Sequence, residues 1–217
     1  MFQLNLAQKL GSYIFPVRVW KGSSAENPVL ELFYYRGEWQ LGTEDALYSD
    51  GSRYRPLVVG FNELKNELRR IRNVLVLGAG LGSAVNILDK MGHHPNITLV
   101  DIDEVVLKWV SELLPRQLLT NTQLVASNAQ SFIQETTKTW GLIVVDIFTG
   151  RTIPDFVASE GFLRNCKKHL HSDGCLIANY IVNDKAEWEN FFHTFSTVFP
   201  HVKVTEIGYN RILVAKV

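Results

Sequence analysis

The sequence predicts an α/β protein. A mostly parallel seven-stranded sheet, with its last strand antiparallel, carries helices on both faces and follows a small N-terminal β-rich hairpin domain. Three observations predict this. From residue 73 onward, short apolar runs alternate with helical segments. The last two runs are separated by only three residues, too few for a crossover helix. Residues 1–60 hold aromatic, β-type runs divided by turn residues.

In the N-terminal zone, residues 13–20 form one β-type run. Residues 29–35 and 38–41 flank Arg36-Gly37, a tight hairpin turn. Residues 48–53 are rich in turn formers and read as a loop. Phe61, Leu64 and Leu68 lie at helical spacing among charges, so a short amphipathic helix is expected over 61–70. The binding domain is expected over 61–217.

Its strands are expected at 74–77, 97–100, 123–125, 142–145 and 175–180. Helices are expected at 82–91, 104–114, 129–136, 159–170 and 185–197. Residues 202–207 and 211–215 close the pattern as a hairpin around Gly208-Tyr209-Asn210.

Composition narrows the function classes. The chain has 217 residues and 46% hydrophobic content, enough for a large core and too much for a disordered chain. Lys+Arg and Asp+Glu are both 22, a balance that gives no footprint for nucleic acid or anionic membrane. No apolar run approaches about 18 residues, so no membrane span is expected. The first residues lack a basic stretch and an apolar core, so no signal peptide is expected. Cys166 and Cys175 read as free thiols in a reducing, cytoplasmic setting. The six histidines read as solvated surface without metal-ligand spacing, and no metal is expected. The N-terminal aromatics read as hairpin packing rather than a base-stacking platform, since no basic track accompanies them.

Four places carry chemistry. Residues 74–83, Val-Leu-Val-Leu-Gly-Ala-Gly-Leu-Gly-Ser, run from a strand through glycines into a helix. Glycines allow close backbone approach to a ligand, although the same pattern also serves a plain strand–helix turn. Ser83 stands where a dinucleotide GxGxxG has its third glycine. Asp101 closes the next strand, where a carboxylate can accept both ribose hydroxyls of an adenosine cofactor. Asp103 fits a helix N-cap better. Asn128, in Ser127-Asn128-Ala129-Gln130, suits an adenine edge and equally an N-cap. Asp146 closes the buried strand 142–145 and faces the crevice beyond the strand ends, as a weak base or an anchor for a cationic group.

In order and spacing these residues resemble the class I S-adenosylmethionine-dependent methyltransferase superfamily, with its Rossmann-like methyltransferase fold. The spermidine synthase-like branch is the most similar. The resemblance covers nearly the whole chain and includes the terminal antiparallel hairpin, which NAD-binding Rossmann domains usually lack.

The resemblance implies S-adenosylmethionine, or its decarboxylated form, as cofactor. Gly78, Gly80 and Gly82 would cradle the methionine part, with Ala79 and Ser83 beside them. Asp101 and Ile102 would lie at the ribose, Asn128 and Ala129 at the adenine, and Asp146 at the reactive centre. A small-molecule acceptor is implied, walled by residues 45–58 and 147–158, and a homodimer is possible.

Three departures set the ranking. Spermidine synthases carry an acid in the glycine loop where Leu81 stands, and a second Asp where Thr149 stands. Their Tyr-His-Glu stretch is replaced by Tyr48-Ser49-Asp50 or by Tyr54-Arg55-Pro56. Uncompensated cations in a partly desolvated cleft are costly. Methyl transfer to an unknown acceptor therefore ranks first, and aminopropyl transfer from the decarboxylated cofactor is the alternative. A non-catalytic scaffold of the same fold follows. An NAD-dependent oxidoreductase, opposed by Ser83 and the hairpin, comes last.

Overall fold

The structure is a computed structural model and describes residues 2–217. It opens with α1 (Leu6–Gly11), a helix the sequence reading leaves out. Asn5 and Gln8 cap each other's backbone N–H groups at its start. Strands β1 (Val17–Gly22), β2 (Leu30–Tyr35), β3 (Glu38–Gly42) and β4 (Leu47–Asp50) form an antiparallel sheet in that order. The strand β4 and the 3₁₀ turn after it replace the loop expected over 48–53. Only Ser49 of β4 is buried, so no apolar alternation marks the strand.

The expected helix over 61–70 is corrected to α2 (Arg55–Glu63), with a separate 3₁₀ turn at 67–69. Pro56 sits in the first turn of α2, where no backbone N–H is needed, so it starts the helix rather than blocking it. Phe61, Leu64 and Leu68 are all buried, as their spacing requires, although the helix breaks between them.

The large sheet begins with β5 (Asn73–Leu77). It continues through α3 (Ser83–Lys90), β6 (Asn96–Asp101), α4 (Glu104–Leu113), α5 (Arg116–Leu119), β7 (Thr122–Ala126) and α6 (Ala129–Glu135). It ends with β8 (Trp140–Val145), α7 (Glu160–Lys168), β9 (Leu170–Ile181), α8 (Lys185–Val198), β10 (Val202–Ile207) and β11 (Asn210–Lys216). The spatial order is β10-β11-β9-β8-β5-β6-β7, with β11 antiparallel to both neighbours and the other pairings parallel. The expected seven-stranded architecture is therefore present. β9 is longer than expected, because its first residue pairs with Trp140 across a register shift.

Strand β8, and β5 from Val74 onward, are apolar because helices cover both faces. Successive side chains alternate between two cores. Val74, Val76, Leu142 and Val144 face α2 and α3, whereas Leu75, Leu77, Ile143 and Val145 face α6, α7 and α8. A third core joins the N-terminal sheet to the rest: Leu30, Leu32 and Leu41 pack on Leu81, Val106 and Trp109. Trp20 meets Trp109 edge-on at 4.9 Å between ring centroids. Trp20 and Trp39 thus serve packing, whereas Tyr13 and Phe15 are exposed.

His169 corrects the surface reading of the histidines. It is buried at the end of α7, its Nδ1 lies 2.8 Å from the Lys138 carbonyl, and its ring lies beside Trp140. Cys166 and Cys175 are free and buried. Burial pushes the Cys166 thiol far up and that of Cys175 to about 11, so neither is a nucleophile at neutral pH. Among the described residues, no helix is long and apolar enough to cross a membrane, and no group of three His, Cys, Asp or Glu side chains could hold a metal ion.

Candidate active site

A cleft of about 290 Å³ opens beyond the carboxyl ends of β5, β6, β7 and β8. The chain leaves β5 toward β6 on one side and later returns to β8 on the other, so the cleft lies at the topological switch point. The loop after β5 and the loop after β8 touch. Gly78 has φ 93°, and a side-chain Cβ there would lie 2.1 Å from the Asp146 carbonyl oxygen. Only glycine lets these two backbones form the floor together.

Asp101 stands at the tip of β6. Its Oδ2 accepts from the Ala79 N–H at 2.8 Å and its Oδ1 from the Asp103 N–H at 3.0 Å. Burial pushes its carboxyl up, and the N–H groups of Asp103, Ala79 and Gly80 pull it back. The anion is thus held by backbone donors and still has lone pairs for a ligand diol. Asp101→Asn is expected to weaken nucleoside binding by at least about tenfold, since a hydrogen bond to a charged acceptor is worth about 1.5–3 kcal/mol. Calorimetric titration checks this.

Asn128 caps α6: its Oδ1 accepts from the backbone N–H groups of Gln130 and Ser131. The cap and ligand readings are compatible, because Oδ1 is committed and Nδ2 is left as the donor toward the cleft. Asp103 caps α4 as expected. It also accepts from the Ser24 hydroxyl and the Asn27 side chain, which anchors the β1–β2 loop over the cleft.

Asp146 is the most perturbed carboxylate. Its Oδ1 accepts from Asn179 Nδ2 at 2.8 Å and from the Tyr54 hydroxyl at 3.3 Å. Its Oδ2 accepts no hydrogen bond from the described residues and is not sealed from the cleft that Asp146 lines. Burial pushes this carboxyl up to about 6, against the pull of the two donors. A base in that range takes a proton at neutral pH far better than an ordinary carboxylate. The Tyr54 hydroxyl is itself pushed well up by burial and by Asp146, so it stays a donor.

The structure brings Gly78, Gly80, Asp101, Ile102, Asn128, Ala129 and Asp146 to one cleft. It does not bring Ala79, Gly82 or Ser83 there as lining residues. Ala79 acts through its N–H on Asp101. Gly82 begins α3 under the Leu114 side chain. The Ser83 hydroxyl is buried against Ser49 at 2.6 Å, joining α3 to β4. Leu81 points away from the cleft into the third core.

Sequence reasoning missed Glu26 and Asn27 of the β1–β2 loop and left Tyr48 and Tyr54 undecided. Tyr48 lines the cleft, and its hydroxyl accepts from the Gly150 N–H at 2.5 Å, tying β4 to the loop 147–158. Tyr54 lies beneath, on Asp146. Asn179 was missed too. Its signal was present as a lone polar residue inside the apolar run 175–180.

Residues 53–207 match the spermine/spermidine synthase domain. The chain belongs to that family. The match covers the floor of the cleft but not Glu26, Asn27 or Tyr48. A polyamine aminopropyltransferase of Vibrio vulnificus is 26% identical over 148 residues, 65% of this chain and 49% of that protein. The chain spans about half the length of the curated relatives it matches.

Two solved structures share the fold. A probable spermidine synthase from Corynebacterium glutamicum superposes with a TM-score of 0.71 at 17% identity, over 93% of this chain and 80% of that one. Human methyltransferase-like protein 13 in complex with SAH gives 0.65 at 20% identity, over 77% and 83%. Leu81 and Thr149 were expected to depart from the spermidine synthase pattern. Leu81 has a structural use, since it docks the N-terminal sheet.

Proposed function

We propose that this family member transfers an alkyl group from a sulfonium nucleoside to an amine. The aminopropyl group of decarboxylated S-adenosylmethionine is the one its cleft favours. The observation that carries this reading is the charge of the cleft. Glu26, Asp101 and Asp146 line it, with no Lys, Arg or His among the described lining residues. A methionine carboxylate would enter a site without a countercharge, whereas an aminopropyl ammonium meets carboxylates. This reverses the order expected from Leu81 and Thr149, because Glu26 brings an anion that motif comparison leaves out.

The residues fit such a nucleoside. The Asp101 carboxylate, preorganised by N–H donors, would hold the ribose diol. Asn128 Nδ2 and the Ala129 backbone would meet the adenine. Bound there, the sulfonium supplies an electrophilic carbon and a neutral thioether leaving group. Asp146 Oδ2 receives the proton that the acceptor amine releases as its nitrogen forms the new C–N bond. Tyr48, Phe148 and Phe156 exclude water from the reacting end, and catalysis rests mainly on positioning. A small-molecule acceptor and a cytoplasmic setting, in keeping with two unpaired thiols, belong to the same reading.

The test is parallel calorimetry with decarboxylated and intact S-adenosylmethionine, followed by chromatography for spermidine formed from putrescine. At least tenfold tighter binding of the decarboxylated form, with spermidine produced, is expected. Tighter binding of the intact form would overturn it. Methyl transfer, favoured by Leu81 and Thr149, would then lead.

A further inference from the structure

The hydrogen bonds behind Asp146 continue past the cleft into the terminal hairpin. On β9, Cys175, Ile177 and Asn179 share the face under α2, and the first two belong to the apolar core there. Asn179 ends this row as a buried amide, and a buried amide needs partners at both ends. Its Nδ2 donates to Asp146 Oδ1 at 2.8 Å and lies 3.4 Å from the Tyr54 hydroxyl. Its Oδ1 accepts from Asn210 Nδ2 at 2.8 Å. Asn210 opens β11 and pairs with Ile181, so it sits diagonally across from Asn179 on the same face.

An amide has one accepting end and one donating end. Asn210 occupies the accepting end of Asn179, which leaves the donating end for Asp146. Without Asn210, the Asn179 amide can turn over and present its oxygen to a carboxylate. The two donors on Asp146 also fall on the same oxygen.

We propose that Asn179 and Asn210 are positioning residues for the transfer reaction. Asn210 sets the Asn179 amide so that it clamps one oxygen of Asp146 and leaves the other to take the acceptor's proton. The chemistry rests on the transferase reading above; the clamp itself rests on the geometry alone. Other charged or titratable groups leave room for this control. Among the described residues, Tyr54 is the one such side chain hydrogen-bonded to Asp146, while Tyr48, Asp101 and Glu26 line the cleft around it. Arg211 follows Asn210 in β11, so its side chain leaves on the opposite face and reaches the Gly208 and Asn210 carbonyls.

The experiment uses the full chain labelled with ¹³C at aspartate carboxyl carbons, with the Asp146 signal assigned by its loss in Asp146→Asn. In the wild type its midpoint is expected near 6. In Asn210→Asp a carboxylate draws the Asn179 N–H groups toward itself, and the Asp146 midpoint is expected to rise to about 7 or higher. Asn210→Ala, which adds no charge, is expected to raise it less. Midpoints at the wild-type value in both folded variants would overturn the clamp, leaving Asn210 as a hairpin residue only.

With putrescine and decarboxylated S-adenosylmethionine as probes, the acid limb of the kcat/KM profile is expected to move with the midpoint. The nucleoside KM should stay unchanged. A shifted midpoint in a protein that forms no spermidine supports the clamp and removes the aminopropyl reading instead.

Discussion

Asp146→Asn is expected to abolish transfer and to make the protein more stable than the wild type at pH 8. The buried carboxyl titrates near 6 in the folded protein, against a usual value of 3.8. A group whose folded value is raised favours folding only while it stays protonated. Relative to the variant, the wild type therefore loses stability as pH rises from about 4 through about 6, and the loss is complete above that. At about 1.36 kcal/mol per pH unit of displacement, the full difference is about 3 kcal/mol. The asparagine can still accept from Asn179 and Tyr54 through its Oδ1, so the variant keeps both hydrogen bonds without a charge to bury. Urea unfolding at pH 4, 6 and 8 should show a gap that is near zero at pH 4 and opens by pH 8. A constant gap would exclude Asp146 as the titrating group.

Gly78→Ala is expected to be the most damaging single-methyl change in the chain, for two separable reasons. Its φ of 93° is one that L side chains rarely adopt, and the new Cβ would stand 2.1 Å from the Asp146 carbonyl oxygen. Neither backbone can yield without parting the loops after β5 and β8, which form the floor of the cleft. Gly92→Ala is the control: its φ is 77°, but a Cβ there meets nothing within 4 Å. The control should cost about 1–2 kcal/mol, the price of the left-handed conformation alone. Gly78→Ala should cost roughly twice that or more and remove nucleoside binding as well. Thermal denaturation and calorimetry of both variants check this, and equal losses would show that the contact between the loops is unimportant.

The parallel sheet was legible because β8, and β5 from Val74 onward, are buried on both faces and so read as plain apolar runs. The terminal hairpin was legible because residues 208–210 are too few for a crossover. α1 and β4 were not, since α1 buries none of its side chains and β4 buries only Ser49. The start of α2 was hidden by Pro56, whose effect depends on its place in the helix rather than on its identity.

In the site, Gly78, Asp101, Asn128 and Asp146 were legible because each ends or follows a strand, or opens a helix, at the carboxyl end of the sheet. Ser83 was misplaced because its position in a motif says nothing about Ser49, which lies 34 residues away and takes its hydroxyl. Glu26 reaches the cleft, and Tyr54 and Asn210 reach the hydrogen bonds behind Asp146, from separate segments. No local pattern joins residues brought together only by the docking of one sheet on another and by the last pairing in the large sheet.

That last pairing bears on how the protein is made. β11 lies between β9 and β10, yet it follows every other strand in the chain. On a ribosome, the elements that hold Asp101, Asn128 and Asp146 emerge well before Asn210 does. Until β11 arrives, β9 is an open sheet edge rich in apolar residues, the kind of edge that recruits foreign strands. The nascent protein can therefore form the floor of its cleft early, but it can neither cover this sheet edge nor fix the Asn179 amide until residues 210–216 have been added.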